Sequence, residues 1–224
     1  MHSSGSLSLV NGDLATSVAP LNTSSLSAAA TCSNGSAHLV CADIGIVERS
    51  WNAHNAEAWS VDASCDMNRI LSSPLVLTGG DDRAVRLWDA RDSARRAALS
   101  PPEHGAGVCC VRFASFDPCF IATSSYDGYV RIFDARVPTK PAWRSAGSES
   151  GIWQFDMSFS SLDIFTIVAA CTFSGVEVHT PDGAASAEAK TVPDELVYGA
   201  CMPMNGVALT AHFKESVVHT WSLG

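Results

Sequence analysis

The sequence has little positive charge. It carries 14 lysines and arginines against 23 aspartates and glutamates, which gives a formal net charge of −9. A protein that binds nucleic acid or an anionic membrane usually presents a basic face, so this balance argues against both partners. The sequence also lacks an apolar run long enough to span a bilayer, and its N-terminus lacks the basic start and apolar block of a secretory signal. We therefore expect a cytoplasmic protein that contacts neither nucleic acid nor a membrane.

The eight cysteines also lack a pattern that would give them a special role. No Cys-x-x-Cys pair occurs, and no cysteine and histidine stand at the spacing of a zinc site, so we expect no metal and no cofactor. Without a secretory signal a disulfide framework is not expected either. Cys109, Cys110 and Cys171 lie within apolar runs, which predicts buried thiols that pack as small hydrophobic residues.

The chain contains a repeated phrase that predicts β-structure. Hydrophobic residues make up 46% of the sequence, which is enough for a core, and no segment keeps a helical period. Leu75–Asp89 reads LVLTGGDDRAVRLWD, and Phe120–Asp134 reads FIATSSYDGYVRIFD. Each phrase has an apolar strand, a polar turn and an alternating strand that ends in an aromatic residue and an aspartate, which is the pattern of a tight hairpin.

Weaker copies of this phrase extend over most of the chain. They are Ala28–Val40, Ile167–Thr180 and Val207–Ser222, and Ser3–Val10 supplies only a turn and one strand. After a shorter first interval, the period of about 45 residues is that of a propeller blade with four strands. The sequence therefore predicts an all-β, WD-repeat propeller in one domain, residues 1–224, with about five full blades and part of another. Residues 1–30 match the repeat poorly, and the Ser/Ala/Thr-rich residues 14–36 predict a loose connection.

Two copies of the phrase also carry the polar residues of the WD-repeat tetrad. These sets are His54, Thr78, Asp82 and Trp88 in one copy, and His104, Thr123, Asp127 and Phe133 in the next. Such side chains hydrogen-bond between turn and strand and satisfy polar groups whose burial without a partner would cost about 1–3 kcal/mol each. The third copy has Phe173 and His179 at the aspartate and tryptophan positions, and the last has Glu215 and Trp221. A structural role is expected for Asp82, Asp127 and His104.

Five phrases of the sequence, taken in order, point to one family. They are SWNAHNAEAW (50–59), HGAGVC (104–109) with SSYDGYVRIFDAR (124–136), GIW (151–153) with VAACTFSG (168–175), ELVYGA (195–200) and LTAHFKESVVHTW (209–221). In this order they resemble the diphthine methyl ester hydrolases, a WD-repeat family of diphthamide biosynthesis that is also called diphthine methyltransferase. The resemblance is best over residues 37–222.

The resemblance implies an enzyme with a protein substrate. Members of the family remove a methyl ester from the modified histidine of translation elongation factor 2, and a separate ligase then amidates the exposed carboxylate. The alternative is a non-catalytic WD-repeat scaffold for trafficking or ubiquitin-ligase partners, because the fold by itself does not determine function. We expect a monomer in either case.

The candidate site residues follow from what ester hydrolysis requires. The sequence has no G-x-S-x-G elbow, which disfavours a Ser-His-Asp hydrolase. His54 could act as the base towards water with Glu57 fixing its tautomer, although His54 could instead be the tetrad histidine. Trp59, Trp153 and Tyr198 are candidate substrate-binding residues of the channel, with core packing as the alternative. Cys109 and Cys171 are disfavoured as nucleophiles because nothing in the sequence places an activating base beside them.

The length predicts an incomplete ring. The resembled family has seven-bladed rings, which need about 300 residues at roughly 42–45 residues per blade. With 224 residues, we expect a chain that lacks about one and a half blades at its N-terminal side. The alternative is a short ring closed by Gly5–Val10 as a borrowed strand. An open arc would leave unpaired edge strands, which are an aggregation hazard.

Overall fold

The computed structural model of the protein describes residues 13–22, 26–41, 43–64, 74–97, 104–115, 117–182, 185–189, 196–204, 207–214 and 216–222. These residues form five antiparallel sheets that follow one another in chain order, and the described part of the chain contains no helix. No helix long and apolar enough to cross a membrane is therefore found among the described residues. The predicted all-β WD-repeat propeller is confirmed, and its sheets are the blades.

The first three blades have four strands each. Blade 1 contains β1 (Ala15–Asn22), β2 (Leu26–Cys32), β3 (Ser36–Cys41) and β4 (Ile46–Asn52). Blade 2 contains β5 (Ala58–Ser64), β6 (Leu75–Gly80), β7 (Val85–Asp89) and β8 (Asp92–Ala97). Blade 3 contains β9 (Val108–Phe113), β10 (Phe120–Ser125), β11 (Val130–Asp134) and β12 (Trp143–Arg144).

The last two blades differ in the number of described strands. Blade 4 contains β13 (Ile152–Ser161), β14 (Ile164–Cys171), β15 (Gly175–His179) and β16 (Ala185–Ala189). Blade 5 contains β17 (Val197–Met204), β18 (Val207–His212) and β19 (Val217–Ser222). In every blade the strand that comes first in the chain lies at one edge of its sheet, and these first strands are the innermost strands of the propeller.

The repeated phrases form the hairpins that their alternation predicts. In blade 2, Leu75 pairs with Asp89 and Leu77 with Leu87, so the two strands meet in register across the turn. In blade 3, Phe120 pairs with Asp134 and Ala122 with Ile132 in the same register. The identical offset shows that one local rule, an apolar strand followed by a polar turn and an alternating strand, generates both hairpins.

The hydrophobic core is divided among the blade interfaces. One buried cluster lies between each pair of successive blades: for blades 1 and 2 it includes Leu39 and Trp88, and for blades 2 and 3 it includes Leu77 and Phe133. Blades 3 and 4 meet around Phe155, and the fourth cluster joins blades 4 and 5. Among the described residues, each blade therefore buries its apolar faces against its neighbours, as expected of a repeat protein.

Polar side chains of one innermost strand also hydrogen-bond to the backbone of the next. The Val111 N–H donates to Ser60 Oγ over 3.1 Å, and the Phe113 N–H donates to the Asp62 carboxylate over 2.8 Å. Between blades 4 and 5, the Met202 N–H donates to the Asp156 carboxylate over 2.7 Å. These bonds fix how far each innermost strand is shifted along the channel axis relative to the next. They therefore also fix the positions of residues that face the channel.

The structure corrects one expectation about the N-terminal region. The loose connection predicted for residues 14–36 is wrong, because β1 and β2 occupy most of this segment and pair as a hairpin. The sequence of β1 is a weak indication of a strand because it contains Pro20. As the innermost strand, β1 has a sheet neighbour on one side only, so a residue without an N–H can be accommodated there. Ser3–Val10, which includes the predicted closing strand Gly5–Val10, lies outside the described residues.

Candidate functional site

One face of the propeller, here called the upper face, carries the turns between the second and third strands of the blades. In blades 2 to 5, a backbone N–H at this turn donates to a carbonyl just before or at the start of the innermost strand. The bonds run from Asp81 to Glu57, Tyr126 to Gly107, Thr172 to Gly151 and Phe213 to Leu196, with lengths of 2.8, 3.0, 2.9 and 2.9 Å. The beginnings of the innermost strands therefore meet the turns at the upper mouth of the central channel.

The second residue of each innermost strand occupies an equivalent position at this mouth. In chain order these residues are Thr16, Trp59, Cys109, Trp153 and Tyr198. All three aromatic residues predicted from the sequence as substrate-binding candidates therefore occupy one level of the channel. Cys109 separates Trp59 from Trp153 in this series, and its small side chain leaves the two indoles free to meet.

Trp153 and the three aromatic rings that contact it meet at the mouth. The centroids of Trp59 and Trp153 are 5.6 Å apart, and Tyr198 stands edge-on to Trp153 at the same distance. Tyr126, from the β10–β11 turn, meets Trp153 at 90° with centroids 6.4 Å apart. We call these four residues the aromatic box. Tyr126 and Tyr198 are 48% and 42% exposed, so the rings are open to solvent rather than sealed in a core.

Tyr126 is a member of the aromatic box that the sequence reasoning missed. It was treated only as part of the polar turn of a hairpin, and its neighbour Asp127 was assigned to the tetrad. Its ring lies against Gly151, where an added Cβ would come within 2.8 Å of the ring. Glycine immediately before β13 therefore allows Tyr126 to reach Trp153. The signal available in the sequence was an aromatic residue at the same turn position as the Asp81 of blade 2.

One carboxylate contacts the aromatic box, and a second lies close to it in the chain. The Trp59 indole N–H donates to the Asp81 carboxylate over 3.4 Å, a long hydrogen bond. Glu57, the predicted catalytic carboxylate, is exposed two residues before Trp59 in the chain. The turns of the upper face also carry the cations Arg83 and Lys214, both exposed. The negative charge at the box thus comes from particular carboxylates and not from the face as a whole.

A cavity of about 240 Å³ continues from the aromatic box into the channel. Trp59 and Trp153 line both the box and the cavity, and the other lining residues are Thr16, Ser17, Ser60, Cys109, Cys110, Arg112 and Gln154. Arg112 is close enough to Asp62 and Asp156 for their charges to interact. Burial raises the pKa of Asp62 in spite of the backbone hydrogen bonds that it accepts. The cavity therefore offers hydrogen-bond donors and a guanidinium below an aromatic rim.

The structure places His54 in the tetrad, which is one of the two interpretations that the sequence left open. His54 is buried, with Nδ1 2.7 Å from the Asp82 carboxylate and Nε2 2.9 Å from Thr78 Oγ1. Trp88 completes the chain by donating to Thr78 over 3.0 Å. Burial alone would raise the pKa of Asp82, but hydrogen bonds from His54, the Asn55 backbone and Arg86 lower it. Since both ring nitrogens of His54 are engaged, the geometry does not support its use as a base.

The channel and blade thiols are poor nucleophiles in this environment. Burial raises the pKa of Cys109 to about 12, with the neighbouring Cys110 adding to the effect. Burial and the Glu177 carboxylate raise the pKa of Cys171 to about 12 as well. Both thiols stay protonated near neutral pH, and the prediction that Cys109, Cys110 and Cys171 are buried is confirmed.

Blade 4 replaces the tetrad with a different polar cluster that the sequence reasoning did not find. Ser148 donates to the Glu177 carboxylate over 2.7 Å, and His179 Nε2 lies 3.4 Å from the same carboxylate. Burial opposes ionisation, but the contacts with His179 and Ser148 lower the pKa of Glu177. Glu177 occupies the strand position that Arg86 and Arg131 hold in blades 2 and 3, and comparing the repeats at that position would have shown the difference. In a hydrolytic triad the histidine lies between the serine and the carboxylate, whereas here the carboxylate lies between the serine and the histidine. The cluster is therefore not a hydrolytic triad.

Comparison with known proteins first gives the class. The chain matches the family described as WD domain, G-beta repeat, over residues 45–89 and 98–134. Among solved structures, the WD40 β-propeller domain of Doa1 matches with a TM-score of 0.68 at 16% identity, covering 88% of this chain and 61% of that one. The chain is a WD-repeat β-propeller protein.

Sequence relatives then show which WD-repeat family the chain resembles. Diphthine methyltransferase from Homo sapiens is 28% identical over 67% of this chain, and that from Mus musculus is 27% identical over 75%. These relatives confirm the predicted resemblance to the WD-repeat diphthine methyl ester hydrolase family. The chain spans 33% and 36% of the length of these two relatives. Protein SUPPRESSOR OF PHYA-105 1 from Arabidopsis thaliana is 30% identical over 57% of this chain and 11% of its own length.

Proposed function

We propose that this protein hydrolyses the methyl ester of diphthine on translation elongation factor 2, a step of diphthamide biosynthesis in the cytoplasm. The observation that carries the proposal is the group of relatives named diphthine methyltransferase over two thirds or more of the chain. The convergence of Trp59, Trp153 and Tyr198 at the channel mouth supports it, because it supplies an open, aromatic-rimmed cavity for a protruding side chain.

The reaction consumes water and releases methanol. The oxygen of water forms a bond to the acyl carbon of the ester, and the bond from that carbon to the methoxy oxygen breaks. The leaving methoxide takes up a proton and departs as methanol, and the modified histidine keeps a carboxylate. Catalysis requires a base that removes a proton from water and donors that stabilise the oxyanion formed by the carbonyl oxygen.

The site contains groups suited to both tasks. Glu57 is exposed at the mouth and is the carboxylate that we propose as the base. In the cavity, Arg112 and Gln154 supply N–H donors for the carbonyl oxygen. His54 is held by Asp82 and Thr78 and takes no part in this scheme. The thiols of Cys109 and Cys110 line the cavity as neutral groups.

We expect Glu57→Gln to lower the rate of ester hydrolysis by about a hundredfold or more, since general-base catalysis typically contributes 10²–10⁴-fold. The substrate is purified elongation factor that carries the methyl ester, and the measurement is the rate at which its diphthine peptide loses the mass of one methylene. The matched control is Glu149→Gln, which removes another exposed carboxylate on the approach to blade 4.

The control should keep the rate of the unaltered protein, and both variants should keep its thermal unfolding midpoint. If Glu57→Gln hydrolyses the ester at the unaltered rate, Glu57 is not the base. If both variants lose activity equally, the effect is one of surface charge and the assignment is also wrong.

The second candidate is a non-catalytic scaffold, such as an adaptor for trafficking or ubiquitin-ligase partners. The similarity to E3 ubiquitin-protein ligase COP1 from Arabidopsis thaliana, which is 29% identical over 46% of this chain and 14% of its own length, is the observation that favours it. The two candidates differ in turnover. A scaffold binds the elongation factor or another protein without changing its mass, whereas the hydrolase releases methanol from a molar excess of substrate.

A further inference from the structure

Among the described residues, the strongly exposed aromatic side chains all lie on the upper face. They are Tyr126, Phe173, Tyr198 and Phe213. Elsewhere on the described surface the strongly exposed large apolar side chains are aliphatic, for example Val18, Val137 and Ile164. Aromatic side chains are enriched in protein–protein interfaces, where a few of them supply most of the binding energy. This distribution indicates that the upper face contacts another protein.

Phe173 and Phe213 extend the rim of the channel mouth beyond the aromatic box. They are 60% and 67% exposed, and they belong to the turns between the second and third strands of blades 4 and 5. The ring of Phe213 contacts that of Tyr198, with centroids 5.9 Å apart. Thr172, next to Phe173, donates to the Gly151 carbonyl from its N–H and from its hydroxyl, each over 2.9 Å. Both phenylalanines are therefore held beside the mouth.

Hydrogen bonds fix the backbone that carries the two rings. The Phe173 N–H donates to Ser150 Oγ over 3.2 Å. The Phe213 N–H donates to the Leu196 carbonyl over 2.9 Å, and the Phe213 carbonyl accepts the Ser216 N–H over 3.3 Å. A turn that is already ordered loses little conformational entropy when a partner docks on it. The two rings are thus preformed contacts.

The exposed charges around these rings are of mixed sign. Glu57, Asp81 and Glu149 are carboxylates of this face, and Arg83 and Lys214 are its cations. A face of mixed sign does not attract a partner through a potential of one sign. Docking on this face therefore depends mainly on apolar contact.

The partner follows from what must enter the mouth. In the proposed function the reacting group is a side chain of a folded protein, and Trp59 and Trp153 line both the mouth and the cavity of about 240 Å³ below it. A side chain reaches this cavity only when the surface of its own protein lies against the rim. The surface around the modified histidine therefore covers the two phenylalanines.

We propose that Phe173 and Phe213 form a docking surface for the elongation factor and contact apolar side chains that surround its modified histidine. This surface selects the intact protein over a short peptide that carries the same modified residue. The inference rests on the proposed function for the identity of the partner, but binding of the factor can be measured without turnover.

The test compares two substrates of the full chain. One is intact elongation factor that carries the methyl ester, and the other is a short peptide of the factor with the same modified histidine. Phe173→Ser and Phe213→Ser should each raise the KM for the intact factor about tenfold at unaltered kcat, because each variant removes binding that is equal in the ground state and the transition state. The KM for the peptide should rise much less, so the preference for the intact factor should fall.

Ile164→Ser is the matched control, because it removes an apolar side chain of similar exposure from the β13–β14 turn on the opposite face. It should keep the preference for the intact factor, and circular dichroism should show that every variant keeps its β-structure. Because the contact is mainly apolar, the KM for the intact factor should change less than about twofold between roughly 0.05 and 0.3 M salt.

An unaltered KM for the intact factor in both phenylalanine variants would overturn the docking surface, as would an equal rise in Ile164→Ser. Calorimetric binding of the factor without turnover, weakened about tenfold only in the phenylalanine variants, would support the surface and refute the proposed function alone. If sedimentation shows that the unaltered protein self-associates and that these variants are monomers, the surface joins two copies of the chain and the proposal is wrong.

Discussion

At the scale of single residues, His104 shows how a buried imidazole couples this fold to pH. Its Nε2 lies 3.0 Å from Thr123 Oγ1, and the ring packs against Phe133. Burial and the nearby Arg131 lower the pKa of His104 to about 4, although Asp127 opposes the shift. In the unfolded chain the imidazole takes up its proton near pH 6.5. Between these two values the unfolded state binds more protons, so stability is full above about pH 6.5 and falls as the pH drops towards 4.

We expect His104→Asn to remove this pH dependence. In the unaltered protein the free energy of unfolding should fall by up to about 1.4 kcal/mol per pH unit from this residue between pH 6.5 and 4. The slope is measured from urea midpoints across that range. Thr123→Val is the matched control, because it removes the same hydrogen bond but keeps the histidine. It should lower stability by about 1 kcal/mol and leave the slope unchanged. An unaltered slope in His104→Asn would show that another group titrates.

The tetrads were predictable from the sequence because their members stand at fixed distances along the chain. The same reasoning could not decide between the two roles of His54, since the distinction depends on whether Asp82 and Thr78 engage both ring nitrogens. That is a property of the folded blade. Residue spacing shows which side chains can meet, whereas the position of each ring nitrogen depends on packing.

At the scale of elements, the turns of blades 2 and 3 adopt the same left-handed backbone conformation with different residues. Gly128 has φ of 81°, and the equivalent Arg83 has φ of 63°. The left-handed region costs a residue with a Cβ roughly 1–2 kcal/mol and costs glycine almost nothing. Both hairpins form, because the register of their strands requires this turn whatever residue occupies it.

We expect Arg83→Gly to raise the free energy of unfolding by about 0.5 kcal/mol, because the relieved strain exceeds the added entropy of the unfolded chain. Gly128→Ala should lower it by more than about 1 kcal/mol. There the new Cβ would also lie 2.8 Å from the Ser148 carbonyl oxygen. Chemical denaturation at neutral pH measures both changes. The explanation fails if Arg83→Gly is destabilising or if Gly128→Ala is neutral.

Strands with strong alternation were predictable from the sequence, whereas β1 was not. Its sequence, ATSVAPLN, is rich in small and polar residues and contains a proline. Its stability comes from outside the strand: it pairs with β2, and Ala19 and Leu21 are buried in the cluster shared with Trp88 of blade 2. A prediction from the local sequence pattern does not include these contacts with β2 and blade 2. It therefore assigned the segment to a loose connection.

At the scale of the whole molecule, the described blades form an open arc. Successive blades are joined by four buried clusters, and within the described residues no such cluster joins blade 5 to blade 1. The outer flanks of the arc expose apolar side chains, with Val18 71% exposed in blade 1 and Val218 66% exposed in blade 5. These flanks are where the predicted aggregation hazard would be located.

The candidate functional site also depends on how several blades are arranged. Each of Trp59, Trp153 and Tyr198 was predictable as a residue at the start of an innermost strand. Their mutual contact was not, because it depends on the angles between blades and on the small Cys109 that lies between the two tryptophans in the series. Tyr126 entered the site from a turn that the sequence reasoning treated as structural. The candidate site therefore comes from this assembly and not from a local catalytic motif.

The central claim is hydrolysis of a methyl ester on a protein, and one mass measurement tests it. The full chain is incubated with an excess of elongation factor that carries methylated diphthine, in water enriched in a heavy isotope of oxygen, and the modified peptide is analysed. We predict that the peptide loses the mass of one methylene and gains one heavy oxygen in its new carboxylate. A peptide of unchanged mass would contradict the claim, provided that a full-length relative converts the same substrate. A peptide that gains a methyl group from an added methyl donor would contradict it as well, and would indicate transfer instead of hydrolysis.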